Sequence, residues 1–362
     1  MSIGILTYHT SDNYGSVLQA YALQKHINKY TDCEVIDYRK NEVIKLYKIF
    51  KPLTCRYNIL SNIYSMFFLS ALLSRKRSYE DFRLTEINLS SKCYTSKDSL
   101  EYDINAYNAL ISGSDQVWNF DIVDFDTSYM LDFPKYRGKR FAYAASMGPK
   151  AKDASDFKKY RELIDKFDVV TVREKTALET VAKTTSKAAS LVIDPVFLLD
   201  KSEWESLGHK SKIDTSDDYI FCYFPGGVSK SMEAFSKKLA KQYNSKRILV
   251  MPEWKNFFRS GKKLYDCSPW DFVKLIKNAK CVCTTSFHGT AFSLILNTEF
   301  YVEMGAGAND SRIRDILVDA GKTNCIINSE GTFNDYGFSI SDRIKYSKEI
   351  LAEFIKLSKE SL

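Results

Sequence analysis

The sequence predicts an α/β protein with two doubly wound domains, each built around a parallel sheet. Its 362 residues correspond to about two domains of ordinary size. Short apolar runs, typical of buried strands, alternate with helix-period segments along most of the chain. A polar stretch at residues 210–218 divides these elements into two sets and is the best linker candidate. Strands that alternate with helices indicate parallel sheets.

The first set opens with a βαβ unit. An apolar strand at 3–7 leads through a polar loop to a helix that begins near Ser16, and a second strand follows at 34–38. This unit and the later elements define a first domain at residues 1–209. Its further predicted strands lie at 108–112, 140–145, 168–172 and 191–194, and its further helices at 74–84, 155–167 and 173–181.

The second set defines a domain at residues 210–341. Its predicted strands lie at 219–224, 247–251, 280–284, 299–302 and 324–327, and its helices at 231–243, 269–278, from 290, and at 311–321. A last helix, within residues 342–362, has an apolar stripe that we expect to pack back on the first domain. Two Rossmann-like halves joined by a linker describe the glycosyltransferase-B-like architecture, in which strand-end loops of both domains face a cleft.

Composition and charge exclude several classes of function. The hydrophobic content of 44% and the charged content of 27% are those of a soluble globular protein. The net charge of +7 comes from scattered lysines, which suit anionic small molecules or an acidic membrane better than nucleic acid. Eight cysteines without a CxxC pair, and no secretory signal, predict free thiols in the cytoplasm. Four histidines with no carboxylate at ligand spacing predict no metal site.

Residues 59–73 carry no charge and are followed by the basic run Arg75, Lys76 and Arg77. The segment is shorter than the roughly 20 apolar residues that a membrane span needs. We expect a partly buried helix here. The alternative is an interfacial helix that holds the protein peripherally on the inner face of the cytoplasmic membrane, through residues 59–77.

One candidate site lies where the predicted strand at 280–284 turns into a helix. A helix that starts after a strand presents free N–H groups and the positive end of its dipole, which suits an anion. Gly289 would let a ligand approach the backbone, Ser286 and Thr290 add hydroxyl donors, and His288 can donate to an anion or move a proton. The alternative is an ordinary βα turn with a capping serine and a structural histidine.

Polar residues also follow two strands of the first domain. In open α/β sheets, ligands bind at the carboxyl ends of the strands. The first loop is not a G-x-G-x-x-G loop, so no dinucleotide cofactor is indicated. The two polar clusters contain Asp12, Asn13, Tyr14 and Gly15 after the first strand, and Ser114, Asp115, Gln116 and Trp118 after the strand at 108–112.

Several motifs together resemble those of the polysaccharide pyruvyl transferase family. They occur in the family's order over nearly the whole chain: Ile3-Gly-Ile-Leu-Thr-Tyr-His9, Asn13-Tyr-Gly-Ser-Val-Leu-Gln19, Gly113-Ser-Asp-Gln-Val-Trp-Asn119, Tyr143-Ala-Ala-Ser-Met-Gly148, Val172-Arg-Glu174, Asp194-Pro-Val-Phe-Leu198 and Ser286-Phe-His-Gly289. The resemblance implies transfer of the enolpyruvyl group of phosphoenolpyruvate onto two hydroxyls of a sugar. The product would be a pyruvate ketal on a bacterial surface polysaccharide or its lipid-linked precursor.

The resemblance also implies roles for individual residues. His288 matches the family histidine that helps to hold phosphoenolpyruvate, and Ser286 stands where relatives often have an arginine. Asp115 or Asp12 would be the general base. The other donor-side residues would be Phe287, Gly289 and Thr290, with Lys255, Arg259 or Arg312 in place of the arginine, and the acceptor-side residues would be Asn13, Tyr14, Gly15, Ser114, Gln116 and Trp118. No metal and no cofactor are implied besides the donor substrate.

Two alternatives stay open. A nucleotide-sugar-dependent glycosyltransferase of the same fold would use the D-x-D match of Asp124 and Asp126, although patterns of three residues are frequent. A non-catalytic member would bind a polysaccharide precursor or a partner enzyme, and the missing arginine is also what such a protein would show.

Overall fold

The computed structural model describes residues 2–40, 44–45, 47–123, 126–148, 154–225, 227–250, 258–304, 309–327 and 339–360. The chain divides into two compact units. The first consists of Met1–Tyr47, Arg83–Leu199 and Gly337–Leu362, and the second of Lys48–Phe82 and Asp200–Tyr336. Each unit contains a parallel sheet connected through helices, so the predicted α/β class with two Rossmann-like sheets is confirmed.

The sheet of the first unit has seven parallel strands in the order β3-β2-β1-β4-β5-β6-β7. Because the order reverses between β1 and β4, the loops after these two strands open side by side at the switch point. Direct pairing of Ile5 with Ile111 fixes the register there. The strands are β1 (Ile3–Leu6), β2 (Cys33–Tyr38), β3 (Leu89–Tyr94), β4 (Ala109–Ser112), β5 (Lys139–Ala145), β6 (Val169–Val172) and β7 (Ala189–Leu191).

Helices connect these strands, and a buried aromatic and aliphatic core lies against the sheet. The C-terminal helix belongs to this unit: its Phe354 ring stacks on Phe141 at 4.6 Å, and its Ser347 hydroxyl accepts a hydrogen bond from the Ile193 N–H at 2.9 Å. The described helices are Tyr14–Ile27, Lys97–Asp103, Phe120–Val123, Ala154–Ile164, Lys175–Thr184 and Ile340–Lys359.

The sheet of the second unit repeats the same topology with six parallel strands, in the order β10-β9-β8-β11-β12-β13. Its switch point lies between β8 and β11. The strands are β8 (Tyr219–Tyr223), β9 (Lys246–Val250), β10 (Lys262–Leu264), β11 (Cys281–Thr284), β12 (Phe300–Glu303) and β13 (Ile326–Ile327). The described helices are Arg56–Phe67, Leu69–Glu86, which runs on into the first unit, Lys201–Gly208, Lys230–Gln242, Pro269–Asn278, Phe287–Leu296 and Asn309–Asp319.

The boundaries of the units differ from the predicted ones. Residues 48–82 were expected in the first domain, but they belong to the second unit, where Phe68 stacks on Tyr265 at 4.2 Å and Phe82 packs on Trp270 at 5.1 Å. The division falls at Leu199 and Asp200, so the polar stretch at 210–218 is a loop before β8 rather than a linker.

The apolar segment at 59–73 is helical and partly buried, as we expected. It forms most of the Arg56–Phe67 helix and the start of the next one, and several of its large side chains are exposed to solvent. Among the described residues, no helix is both long enough and apolar enough to cross a membrane.

Candidate active site

The two polar loops predicted in the first domain meet at the switch point. The Ser16 hydroxyl donates to Asp115 Oδ2 at 2.6 Å, and the Thr7 hydroxyl donates to the Ser114 carbonyl at 3.1 Å. Asn13 caps the first helix, because its side-chain oxygen accepts from the Gly15 N–H at 2.8 Å. The structure therefore brings Asn13, Gly15, Ser114 and Asp115 together, as their positions at strand ends predicted.

Asp115 has an unusual backbone. Its φ of 74° lies in the left-handed region, which costs a residue with a side chain about 1 kcal/mol or more. The surrounding structure holds it there: the Asp115 carbonyl accepts from the Ser146 N–H at 3.1 Å, and its Oδ1 accepts from the Gln116 N–H at 2.9 Å. Backbone strain of this kind often marks a functional position.

A buried arginine lies behind Asp115, and its role was not predicted, although it belongs to the motif Val172-Arg-Glu174. Arg173 follows β6, and its Nη1 donates to Asp194 Oδ2 at 2.5 Å. Its other nitrogens lie 3.7 Å from Asp115 Oδ1 and 3.8 Å from Glu174 Oε2. Glu174 in turn accepts from the Ser146 hydroxyl at 2.6 Å. All these residues stand at the carboxyl ends of neighbouring strands, and that shared position was the available signal.

The cluster is charged, and one of its carboxylates is accessible to a ligand. Burial lowers the pKa of the Arg173 guanidinium, but the carboxylates of Asp194, Asp115 and Glu174 raise it by more, so the group stays charged. The side chains of Asp194 and Glu174 are 0% and 4% exposed, whereas that of Asp115 is 16% exposed. Asp115 is therefore the carboxylate of this cluster that a ligand can reach.

Three other residues of the predicted site have structural roles. Tyr14 and Trp118 are fully buried in the core, and the Trp118 indole donates to the Ser112 hydroxyl at 3.0 Å, so neither ring is available to stack on a sugar. Asp12 forms an ion pair with Arg83 at 3.3 Å. Because its carboxylate is already engaged by a neighbouring guanidinium and its side chain is only 10% exposed, Asp12 is a weaker candidate base than Asp115.

Gln116 stands beside Asp115 and is half-buried. Its side-chain oxygen accepts from the Asn119 amide at 2.8 Å. The Gln116 amide nitrogen can still donate to a ligand, so an acceptor-binding role remains a prediction.

A second polar group follows β1, and its role was likewise not predicted. The His9 ring is fully buried, with Nε2 3.0 Å from Asp37 Oδ1 and Nδ1 3.2 Å from the Thr7 carbonyl oxygen. Arg39 Nε also donates to Asp37 Oδ1, at 2.7 Å. Burial raises the pKa of the Asp37 carboxyl, but hydrogen bonds from His9 and Arg39 lower this pKa by more, so that it falls to about 2. Both His9 nitrogens face acceptors, which indicates a positioning role.

In the second unit, Ser286 begins the Phe287–Leu296 helix. Its hydroxyl accepts from the Gly289 N–H at 3.4 Å. The neighbouring Thr285 hydroxyl lies 3.4 Å from the Gly227 carbonyl, which joins this helix start to the loop after β8. These two loops flank the switch point of the second sheet, so the predicted anion site occupies the edge where ligands bind in such sheets.

His288 lies in the first turn of this helix and is half-buried, with its ring edge-on to Phe287 at 5.1 Å. The Arg312 guanidinium lies over the Phe287 ring, 5.8 Å from its centre. Of the three cations considered as substitutes for the missing arginine, Arg312 is thus brought beside the helix start. Lys255 lies outside the described residues.

Arg259 has a different environment. It shares the Glu233 carboxylate with Arg247 and Lys237, at distances of 3.2, 2.8 and 3.3 Å. Its Nη2 also donates to the Val228 carbonyl at 3.4 Å, in the loop after β8. Three cations around one carboxylate leave this group with net positive charge, so Arg259 remains a candidate for the donor side.

Gly289 and Thr290 serve the packing of the helix. A Cβ atom at Gly289 would overlap the Thr284 hydroxyl oxygen, so glycine is needed where the helix crosses β11 rather than for approach of a ligand. Thr290 is fully buried, and both its N–H and its hydroxyl donate to the Ser286 carbonyl at 3.0 Å. Its hydroxyl is therefore not directed to a ligand.

Of the two acids in the D-x-D match, Asp124 lies outside the described residues, and Asp126 is described. Asp126 is buried, accepts from the Tyr38 hydroxyl at 2.7 Å and caps the turn at Thr127–Met130. It is thus occupied by the protein itself. Within the ranges that the structure describes, no three His, Cys, Asp or Glu side chains are grouped as a metal site would require.

Two Rossmann-type units with polar strand-end loops at each switch point define an α/β protein of the glycosyltransferase-B-like class. The family model for polysaccharide pyruvyl transferase matches residues 13–302. The chain belongs to this family.

The first of three similar solved structures supports the fold class. UDP-N-acetylglucosamine 2-epimerase from Rickettsia bellii is 13% identical, with a TM-score of 0.50 over 99% of this chain and 96% of that one. The corresponding enzyme of Methanocaldococcus jannaschii, in complex with UDP-GlcNAc and UDP, is 12% identical, with a TM-score of 0.49 over 98% and 100% of the two chains. ADP-heptose LPS heptosyltransferase II of E. coli is 11% identical, with a TM-score of 0.39 over 99% of each chain. No curated protein matches the chain.

Proposed function

We propose that this protein transfers the enolpyruvyl group of phosphoenolpyruvate to two hydroxyls of a sugar and forms a pyruvate ketal. The sugar belongs to a bacterial surface polysaccharide or its lipid-linked precursor. Membership of the pyruvyl transferase family supports transferase activity in polysaccharide biosynthesis. The observation that carries the choice of donor is the start of the Phe287–Leu296 helix, where His288 and Arg312 join a capped helix end.

The donor side is the second unit. Phosphoenolpyruvate is small and carries a phosphate and a carboxylate close together, so it requires several donors and cations in a small volume. The helix start supplies backbone N–H groups and a positive dipole end. His288 and Arg312 supply donors beside it, and Arg259 lies against the adjoining loop after β8. In this proposal Arg312 replaces the arginine absent at Ser286.

The acceptor side is the first unit, and Asp115 is the general base. Its Oδ2 accepts from the Ser16 hydroxyl, which orients the carboxylate, and it is the exposed member of the Arg173 cluster. Gln116 and Asn13 stand beside it in the two loops and are candidates for binding sugar hydroxyls.

The proposed reaction forms two C–O bonds to the donor and breaks its bond to phosphate. A general acid adds a proton to the methylene carbon of phosphoenolpyruvate, and the first sugar hydroxyl attacks the cationic carbon that results. The proton of this first hydroxyl goes to the general base. The second hydroxyl then forms the other C–O bond as the C–O bond to phosphate breaks, and phosphate leaves with the remaining proton. His288 and the helix start stabilise the phosphate, and Asp115 accepts the proton of the first hydroxyl.

No metal and no cofactor take part in this proposal, because helix end and cations together can neutralise the phosphate. Activity should therefore survive EDTA. Loss of activity with EDTA and its return with magnesium or manganese would contradict this. The expected location is the cytoplasm, where the eight cysteines, all free thiols, would stay reduced.

Ligand-dependent melting tests the donor. Phosphoenolpyruvate should raise the melting temperature, as a ligand selective for the folded state must, and by more than equal concentrations of inorganic phosphate, UDP or GDP. His288→Ala should weaken phosphoenolpyruvate binding about tenfold or more, with little change in the melting temperature of the free protein. Stabilisation by a nucleotide but not by phosphoenolpyruvate would overturn the proposal in favour of a nucleotide-sugar donor. Binding of neither, with binding of oligosaccharide, would indicate a non-catalytic member.

A further inference from the structure

The Arg56–Phe67 helix presents an apolar face to solvent. We call this face the apolar stripe; it consists of Ile59, Leu60, Ile63, Met66 and Phe67, whose spacing places them on one side of the helix. Their side chains are between 44% and 81% exposed. Phe50, Leu53 and Leu73 are exposed large apolar residues of the same part of the chain. A continuous apolar surface of this kind marks an interaction site.

The opposite face of the helix is polar, and this polar face holds it to the protein. Asn62 accepts from the Lys51 N–H and donates to the Lys51 carbonyl, both at 2.8 Å. Ser65 is buried and donates to the Ile49 carbonyl at 3.1 Å. The helix is thus anchored by hydrogen bonds, with its apolar side chains directed outward. The Tyr64 ring, whose centre lies 6.3 Å from that of Tyr265, adds an aromatic contact on the inner side.

Basic residues precede and follow the stripe in the sequence. Between residues 48 and 79 the sequence has no aspartate and no glutamate. The six charged residues of this segment are Lys48, Lys51 and Arg56 before the stripe, and Arg75, Lys76 and Arg77 after it. Lys48, Arg56 and Arg77 are exposed. An apolar band flanked by cations alone matches the boundary between acyl chains and anionic headgroups.

We propose that the apolar stripe docks on the surface of an anionic phospholipid bilayer, with the exposed basic residues Lys48, Arg56 and Arg77 on lipid phosphates. The helix lies in the interface and does not span it, because it has only 12 residues. A second copy of the chain is a poorer partner, since it would bring two sets of like charges together. The inference does not depend on the identity of the donor substrate.

Co-sedimentation of the full chain with vesicles tests this surface. The protein should bind vesicles that contain phosphatidylglycerol, and bind vesicles of pure phosphatidylcholine about tenfold less, with salt reducing the difference. The double variant Met66→Gln/Phe67→Gln and the triple variant Lys48→Glu/Arg56→Glu/Arg77→Glu should each weaken binding about tenfold or more. The stripe positions are exposed, so the first variant should melt as the parent does.

Leu84→Gln and Tyr102→Ser are matched controls, because both residues are exposed large side chains that do not belong to the stripe, at 64% and 87% exposure. Both control variants should bind vesicles as the parent does. The proposal fails if the parent does not bind the anionic vesicles, or if the Met66 and Phe67 variant binds them unchanged. It also fails if light scattering shows a dimer that this variant dissociates, since the stripe would then be a self-association surface. Because no phosphoenolpyruvate is present, the result is independent of the proposed transfer reaction.

Discussion

Ser16 and Asp115 are 99 residues apart in sequence, and the hydroxyl of the first donates to the carboxylate of the second at 2.6 Å. The bond joins the first turn of the Tyr14–Ile27 helix to the loop after β4, across the switch point of the sheet. The Gln116 N–H holds the other carboxylate oxygen at 2.9 Å. Both oxygens of Asp115 are therefore fixed in direction before any ligand arrives.

Replacement of this carboxylate should abolish proton transfer without unfolding the protein. We expect Asp115→Asn to reduce kcat about 100-fold or more, because the amide keeps the shape and loses the basicity. Ser16→Ala should reduce kcat by a smaller factor, since it removes only the orienting bond. Phosphate release from phosphoenolpyruvate in the presence of acceptor measures both. Unchanged kcat in Asp115→Asn would remove Asp115 as the base.

Arg312 should contribute to donor binding through its position beside Phe287. We expect Arg312→Gln to weaken phosphoenolpyruvate binding about tenfold, as the loss of one charge-assisted contact would. Arg314→Gln is a matched control, because Arg314 stands two residues further along the same helix and is exposed. Calorimetric titration of the two variants gives the comparison. Equal losses in both would indicate a general effect of charge and not a contact.

The Arg173 cluster should be essential for stability. We expect Arg173→Met to lower the free energy of unfolding by about 3–5 kcal/mol, because it leaves the buried Asp194 carboxylate uncompensated. Lys246→Met, which breaks an exposed ion pair with Asp217, should have little effect. Urea unfolding curves of the two variants test the contrast. A small effect at Arg173 would mean that the stability of the first unit does not depend on this ion pair.

The lowered pKa of Asp37 makes stability depend on pH. The pKa of this group falls from 3.8 to about 2 on folding, so its contribution is present above pH 3.8 and is lost as the pH falls towards 2. The difference corresponds to about 2 kcal/mol. Urea unfolding of Asp37→Asn should therefore show a weaker dependence on pH below 4 than the parent, and Asp266→Asn, at an exposed position, should not. An unchanged dependence in Asp37→Asn would contradict the assignment.

Gly289→Ala should destabilise the second unit, by about 1–3 kcal/mol, because the added methyl group overlaps the Thr284 side chain. Thr284→Ala removes the overlapping atoms but also the hydrogen bond to the Tyr223 carbonyl. The double variant should then be more stable than the sum of the two single effects predicts. Simple additivity would show that the two side chains do not compete for space.

The sequence allowed the strands that carry the core to be predicted, because their apolar runs are distinctive. It did not allow β3 and β10 to be predicted. Both are outer strands of their sheets, and β3 in particular, with the sequence Leu-Ser-Ser-Lys-Cys-Tyr, has few apolar residues. An outer strand is hydrogen-bonded to a neighbouring strand on one side only and is less enclosed, so it needs fewer apolar residues than a central strand.

The contact of Ser16 with Asp115 was within reach of prediction, since both follow strands that a doubly wound sheet places side by side. The role of Arg173 was not, because an arginine after a strand is as often solvated as buried. Trp118 was misassigned for a physical reason: a tryptophan in a polar loop suits a sugar, but its indole finds a partner in Ser112 and its ring fills the core.

The division of the chain has a consequence for its synthesis. The first unit is built from three separate stretches, and the last of them contains the Ile340–Lys359 helix. A ribosome makes the whole second unit before it reaches this helix. At usual rates of translation, Phe354 is made on the order of ten to forty seconds after Phe141, the residue on which its ring stacks. During that interval the nascent first sheet has an uncovered apolar surface, which makes it a natural client for a chaperone that binds emerging chains.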